Sequence, residues 1–359
     1  MQRAYFLGGA SPSGFETAFW SEHSAYYGFY LKGGPGTGKS TLLKKIASAF
    51  SGERVSVYHC ASDPHSLDAV VLEDRGVFLA DATAPHESST PLPYVTGETV
   101  DLAAGLKTER LAEHRQEILD LYAQNKAAHA QARRGLSGIS DLLDTAAAAG
   151  QSALNRDKLE RYAARFARRL LPRGSGTGRV LSRQCSAVTP QGRLTLLPED
   201  YDWILLRDDA LAASQTLLAL FVQKAADSGL TCEVTHALTQ SSRPVTHVIL
   251  PERRLAVIAG AAGMSAPLRQ PLTAVSMNRF YDAALLKEHR ELLRFCTKTA
   301  ASVEETTVGI LADALRSHDA LEEYYIAALH KPYLDRQAAE TVRRILSRTE
   351  RQEGGKAPE

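Results

Sequence analysis

Apolar positions follow two rhythms along this chain. From Tyr26 to Leu31 an unbroken aromatic and aliphatic run enters a glycine-rich loop. From Thr41 onward Leu42-Leu43-Lys44-Lys45-Ile46-Ala47 repeats at helical spacing, which predicts strand, loop and helix in succession. Val55 to His59, ending at Cys60, and Val77-Phe78-Leu79-Ala80, ending at Asp81, read as further strands, with a short helical or loop segment around Pro64 to Leu67 between them. Strands alternating with helices predict an α/β fold, a mostly parallel sheet flanked by helices with right-handed crossovers. Between 106 and 171 the residues become Ala, Arg, Glu, Leu and Gln, with apolar side chains such as Leu111, Ile118, Leu119 and Tyr122 at helical steps, so a long helical hairpin is expected. Pro172 to Gly178 has the composition of a flexible linker.

The second half echoes the first at an offset of about 175 to 178 positions. Ser11-Pro12-Ser13-Gly14 pairs with Thr189-Pro190-Gln191-Gly192, His59 with His236, Val70-Val71-Leu72 with Val248-Ile249-Leu250, and Glu113-His114-Arg115-Gln116-Glu117 with Glu288-His289-Arg290-Glu291. Ordered agreement across strands, turns and helices predicts a tandem duplication. The expected organisation is a domain at 1–171 carrying the hairpin at 106–171, a linker at 172–179, a repeat at 180–350 with its helical region at 280–350, and a disordered tail at 351–359.

The loop between the first strand and helix is Gly33-Gly34-Pro35-Gly36-Thr37-Gly38-Lys39-Ser40, followed by Thr41: a complete phosphate-binding loop of the Walker A type. Glycines let the backbone curl around phosphates with its N–H groups inward, and the following helix adds its positive end. Lys39 is expected to reach the β- and γ-phosphates, Ser40 to coordinate magnesium, and Thr37 to shape the loop. A carboxylate at the end of a neighbouring strand completes such a metal site, and Asp81 has that position. Asp63 and His86 fall at the same sheet edge, as do His59, Cys60 and Thr83. Asp63 could accept a proton or cap a helix; His86 could orient water or be a loop histidine. Asp68 reads as a turn or helix residue. Ala82 rather than glutamate follows Asp81, which disfavours the AAA+ mechanism. Asn125-Lys126 continues Ala127-Ala128 inside a helix, not a guanine-reading motif, so ATP with Mg2+ is expected.

In the second half the positions matching Gly33 through Ser40 are Asp208, Asp209, Ala210, Leu211, Ala212, Ala213, Ser214 and Gln215, while Asp81 is answered by Ala259 and Asp63 by Gln240. That loop lacks glycine freedom and lysine, and its two acids would face a polyanion, so one nucleotide site per chain is expected.

With these motifs laid out, the chain resembles an uncharacterised bacterial predicted ATPase family with two tandem P-loop NTPase domains. The likeness rests on Tyr5-Phe6 with Gly8-Gly9, Leu31 through Leu42, His59-Cys60, Ser62-Asp63-Pro64, Ser66-Leu67-Asp68, and Asp81 with Thr83-Ala84-Pro85-His86. It implies ATP binding and little more; a second-domain P-loop, common in that family, is degenerate here. A net charge of +1 gives no overall pull toward nucleic acid, and no stretch reaches membrane-spanning length. The four scattered cysteines, Cys60, Cys185, Cys232 and Cys296, form no CxxC pair, so a cytoplasmic protein is expected. Arg133, Arg134, Arg165, Arg168 and Arg169 read as solvated helix faces. Three functions fit: an ATPase or ATP-dependent switch, a kinase acting on a small molecule or nucleotide, or a non-hydrolysing scaffold, each with a protein or small-molecule partner left open.

Overall fold

The apolar runs become strands whose length is set by the turns that end them. The computed structural model describes residues 2–172, 174, 176–260 and 270–354. In chain order the first half holds β1 (Gln2–Phe6), β2 (Gly9–Ser11), β3 (Gly14–Glu16), α1 (Phe19–Glu22), β4 (Tyr27–Lys32), α2 (Lys39–Ala49), β5 (Val55–His59), β6 (Leu67–Leu72), β7 (Val77–Asp81), β8 (Gly97–Asp101), α3 (Thr108–Glu113), α4 (Arg115–Ala153) and α5 (Arg156–Leu170). The second half holds β9 (Val180–Ser182), β10 (Ser186–Thr189), β11 (Gly192–Thr195), β12 (Asp202–Arg207), α6 (Ala212–Asp227), β13 (Cys232–His236), β14 (Val245–Leu250), β15 (Leu255–Gly260), β16 (Thr273–Ser276), α7 (Ala283–Glu288), α8 (Arg290–Ala328) and α9 (Lys331–Gly354).

Two six-stranded sheets result, in the orders β1-β5-β6-β7-β4-β8 and β9-β13-β14-β15-β12-β16. Apart from α1, which has no counterpart between β11 and β12, element follows element in the same succession, down to a bulge at Tyr58/His59 answered by one at Thr235/His236, and to α4 and α8 of 39 residues each. Both sheets are mixed, with three parallel and two antiparallel pairings each, so one strand in six opposes an otherwise parallel set. β6 runs antiparallel to β5 and β7, because the segment expected as helix or loop is a tight turn, with Ser66 N–H donating to Asp63 O at 2.9 Å, that returns the chain directly. Every residue of β6 is buried, so it carries no alternation to mark it as a strand.

The chain divides into two compact units that are not contiguous in sequence. The first takes residues up to Leu7, Trp20–His129 and everything from Leu311 on; the second takes Gly8–Phe19 and Ala130–Ile310. The core of the first unit joins Phe29, Leu31, Leu42, Leu43 and Ile46 to Leu334, Ala338 and Ile345 of α9. The core of the second joins Leu217, Leu218 and Phe221 of α6 to Leu159 and Phe166 of α5. A boundary at 172–179 therefore does not separate the compact units. The glycines placed there in a flexible linker permit close packing instead: Gly176 and Gly178 donate to Asp227 O and Ala226 O at 3.0 and 2.8 Å, and a β-carbon on Gly178 would lie 2.1 Å from Leu230 O. Of the tail expected at 351–359, the first residues continue α9 to Gly354 and the rest lie outside the described residues. Among the described residues no helix is long and apolar enough to cross a membrane.

Candidate functional site

β4 is buried from Tyr27 to Leu31 and paired in parallel on both sides, by β7 and the edge strand β8, so the loop that follows it is anchored on an interior strand. Gly36 and Gly38 hold φ of +64° and +85°, and α2 begins at Lys39 directly after. A β-carbon on Gly36 would also meet Glu322 O at 2.7 Å, so glycine is required there by conformation and by space. Thr37 is buried and donates Oγ1–H to Gly34 O at 2.8 Å, closing the loop on itself. Lys39 Nζ donates to Gly33 O and Gly34 O at 2.9 and 2.8 Å and lies 3.6 Å from Asp81 Oδ2. Ser40 Oγ accepts from Leu67 N–H at 3.0 Å, which leaves its own proton and remaining lone pair uncommitted.

The parallel register sets Asp81 beside Leu31 at the C-terminal end of β7. Its Oδ1 accepts from Thr83 N–H and Thr83 Oγ1–H at 2.9 and 2.5 Å, fixing the carboxylate with Oδ2 toward the lysine. Asp68, read from sequence as a turn or helix residue, stands on β6 and reaches the same place. It is 6% exposed, its Oδ2 has no hydrogen-bond partner, and His86 Nε2 lies 3.4 Å from that oxygen. Burial pushes its carboxyl up to about 6; the charge of Asp81 adds to the rise, while His86, the Cys60 thiol and Lys39 oppose it. Burial, with the charge of Asp68, also drives the Cys60 thiol well above its ordinary value.

These groups line a cavity of about 550 Å³. Asp63 is on its wall but spends Oδ1 on His65 N–H at 3.1 Å in its own turn, with no helix there for it to cap. His59 is not brought to the cavity: its Nδ1 is 2.8 Å from Pro64 O, and burial lowers its pKa. The far wall comes from helices whose role no local motif announces. Glu322 of α8 accepts Gly36 N–H at 2.9 Å on Oε1, a carboxylate on the amide that the loop would offer a phosphate. His318, 3.4 Å from the same oxygen, contributes most to holding the Glu322 carboxyl below its ordinary value, and the Gly36 amide adds to it. Asn125 and His129 of α4 complete that side.

The donor set fits a magnesium ion. Ser40 and Asp81 offer hard oxygens to the cavity, and the buried Asp68 carboxyl adds a second acid close to Asp81. Among the described residues no cluster of three or more His, Cys, Asp or Glu is placed to hold a metal ion by itself.

The corresponding loop of the second unit is filled by its own side chain. Asp208 is 1% exposed and turned inward, accepting from Ala210 N–H, Ser214 N–H and Tyr281 O–H at 3.2, 2.7 and 2.7 Å. It does not face a ligand, as the sequence argument assumed. Leu211 keeps a φ of +65°, so the backbone turn survives without glycine. Leu206, the residue before Arg207, pairs with Ala259, as Leu31 pairs with Asp81. Comparison of the chain with protein-family models, curated proteins and solved structures found no match.

Proposed function

We propose that the chain is a P-loop protein that binds Mg-ATP at the loop from Gly33 to Thr41 and hydrolyses it, with a degenerate second copy of the same fold. The observation that carries this reading is a loop with positive φ at Gly36 and Gly38 whose lysine rests on Gly33 O, Gly34 O and Asp81 at the mouth of a cavity. Lys39 would exchange its carbonyl contacts for the β- and γ-phosphates, the loop amides would cradle the same oxygens, and Ser40 and Asp81 would hold the metal, which offsets phosphate charge. Asp68 supplies the acid absent after Asp81: as the carboxylate it takes a proton from a water that attacks the γ-phosphorus, while the bond to the ADP oxygen breaks and phosphate departs. His86, beside Asp68, orients that carboxylate. Hydrolysis is favoured over transfer to a second substrate because the buried Asp68 carboxyl stands beside Asp81, whereas Asp63 Oδ1 accepts His65 N–H within its own turn. A phosphate-release assay on the full chain decides the matter. Turnover abolished in Lys39→Ala supports the reading; no release above that variant overturns hydrolysis, and labelled phosphate appearing on a metabolite instead of in water selects the kinase.

A further inference from the structure

The second unit keeps a cavity of about 430 Å³ beside its filled loop, bounded by Leu211 and Ser214 at the start of α6 and by the ends of β13 and β15. Its walls are mainly apolar, with Ile139, Leu143, Val188, Leu238 and Val308 among them. Gln240 stands on the wall at 4% exposure. Its Oε1 accepts from Gln215 Nε2 at 3.1 Å, while its own Nε2 is buried without a hydrogen-bond partner. An unspent buried amide donor is unfavourable, and a ligand acceptor would remove that cost. The charged side chains on the walls are Arg193, Glu304 and Glu305, of which the first two pair with each other. Burial, with Arg193 nearby, lowers His247 to about 4, so it is uncharged near neutrality. Arg193 itself is held by Glu304 through two contacts of 3.1 and 2.5 Å. The loop amides of Ala210 and Ser214 are taken by Asp208, and Ser214 stands where Lys39 stands in the first unit. Nothing on these walls is arranged to receive a phosphate, whereas size, a mainly apolar lining and one unpartnered amide donor on a lining residue describe a small-molecule pocket.

We infer that the second unit binds an uncharged, largely apolar heterocycle that presents a carbonyl or ring-nitrogen acceptor to the Gln240 amide. The site has exchanged nucleotide binding for a neutral ligand rather than lost all binding. The test uses the full chain with isoquinolinone and nicotinamide as neutral probes, and isoquinoline-1-carboxylate and nicotinate as anionic counterparts, followed by saturation-transfer NMR and titration. Both neutral probes should bind more tightly than their carboxylates, about tenfold more weakly to Gln240→Leu, and unchanged to Lys39→Ala, which separates this pocket from the nucleotide site. Val308→Trp, which adds bulk to the wall from a half-buried helix position, should block binding and serves should Gln240→Leu fail to fold. Absence of binding by both neutral probes, preference for the carboxylates, or binding unaffected by a folded variant overturns the inference.

Discussion

Asp68 has an oxygen with no hydrogen-bond partner, sealed beside His86 and close enough to Asp81 for their charges to repel, so its ionisation is costly. The folded carboxyl titrates at about 6 against 3.8 for the ordinary group, and the sign of the linkage follows. Between those values the folded chain holds the proton more firmly than the unfolded one, so this group's contribution to stability falls as pH rises from about 4 to 6 and remains a constant penalty above. Asp68→Asn removes the penalty. Urea unfolding should show the variant more stable at pH 8 by about 1–3 kcal/mol and closer to the parent at pH 5. A general base with this pKa also gives a kcat/KM for ATP that climbs through pH 6, and the variant should lose about 10²-fold or more in kcat with its ATP affinity within a few-fold of the parent. Retained turnover in the variant would assign water activation elsewhere.

Glu322 stands 286 residues from the Gly36 whose amide it caps, so no local pattern could announce it, whereas the loop itself was legible because its chemistry is contiguous. The strand β6 was missed for a different reason. Turn-forming Asp63-Pro64-His65-Ser66 precedes it and all six of its residues are buried, which leaves neither alternation nor helical period to read. Asp68 was misplaced with it. The strands around Asp81 and the repeat of elements were readable because apolar runs and turns recur in the same order in both halves. At the level of α8, a carboxylate held ionised on a loop amide competes with a phosphate oxygen for the same donor. Glu322→Ala should therefore tighten binding of a fluorescent ATP analogue by about tenfold, the scale of one charge-assisted hydrogen bond. Weaker binding by the variant would make Glu322 a support of the loop rather than a competitor.

Across the whole chain, the loop proposed to bind nucleotide rests Lys39 on its own carbonyls and has its Gly36 amide on Glu322, while its counterpart, without a lysine, has spent the Ala210 and Ser214 amides on Asp208. Calorimetric titration with Mg-ATP should give close to one equivalent per chain and lose it in Lys39→Ala; two equivalents would revive the second loop. The compact units raise a sharper expectation. Residues 1–171 contain the whole P-loop and every strand of its sheet, and sequence alone marks them as a domain. Yet the first unit draws on Leu311 onward, and Leu334, Ala338 and Ile345 of α9 lie in one core with Leu42, Leu43 and Ile46 of α2, while Arg344 pairs with Glu98 at 2.7 Å. Re-exposing Leu334 and Ile345 alone forfeits about 1.5–3 kcal/mol each, and baring the α2 face they cover adds to the loss. Against a total domain stability of about 5–15 kcal/mol, a fragment ending at 171 should show no cooperative thermal transition and bind no ATP. Supplying residues 172–359 as a second co-expressed chain restores α9 and should restore both properties. A fragment 1–171 that melts cooperatively and binds ATP as the full chain does would show that the first half folds as its sequence boundary suggests, with α9 dispensable to the site.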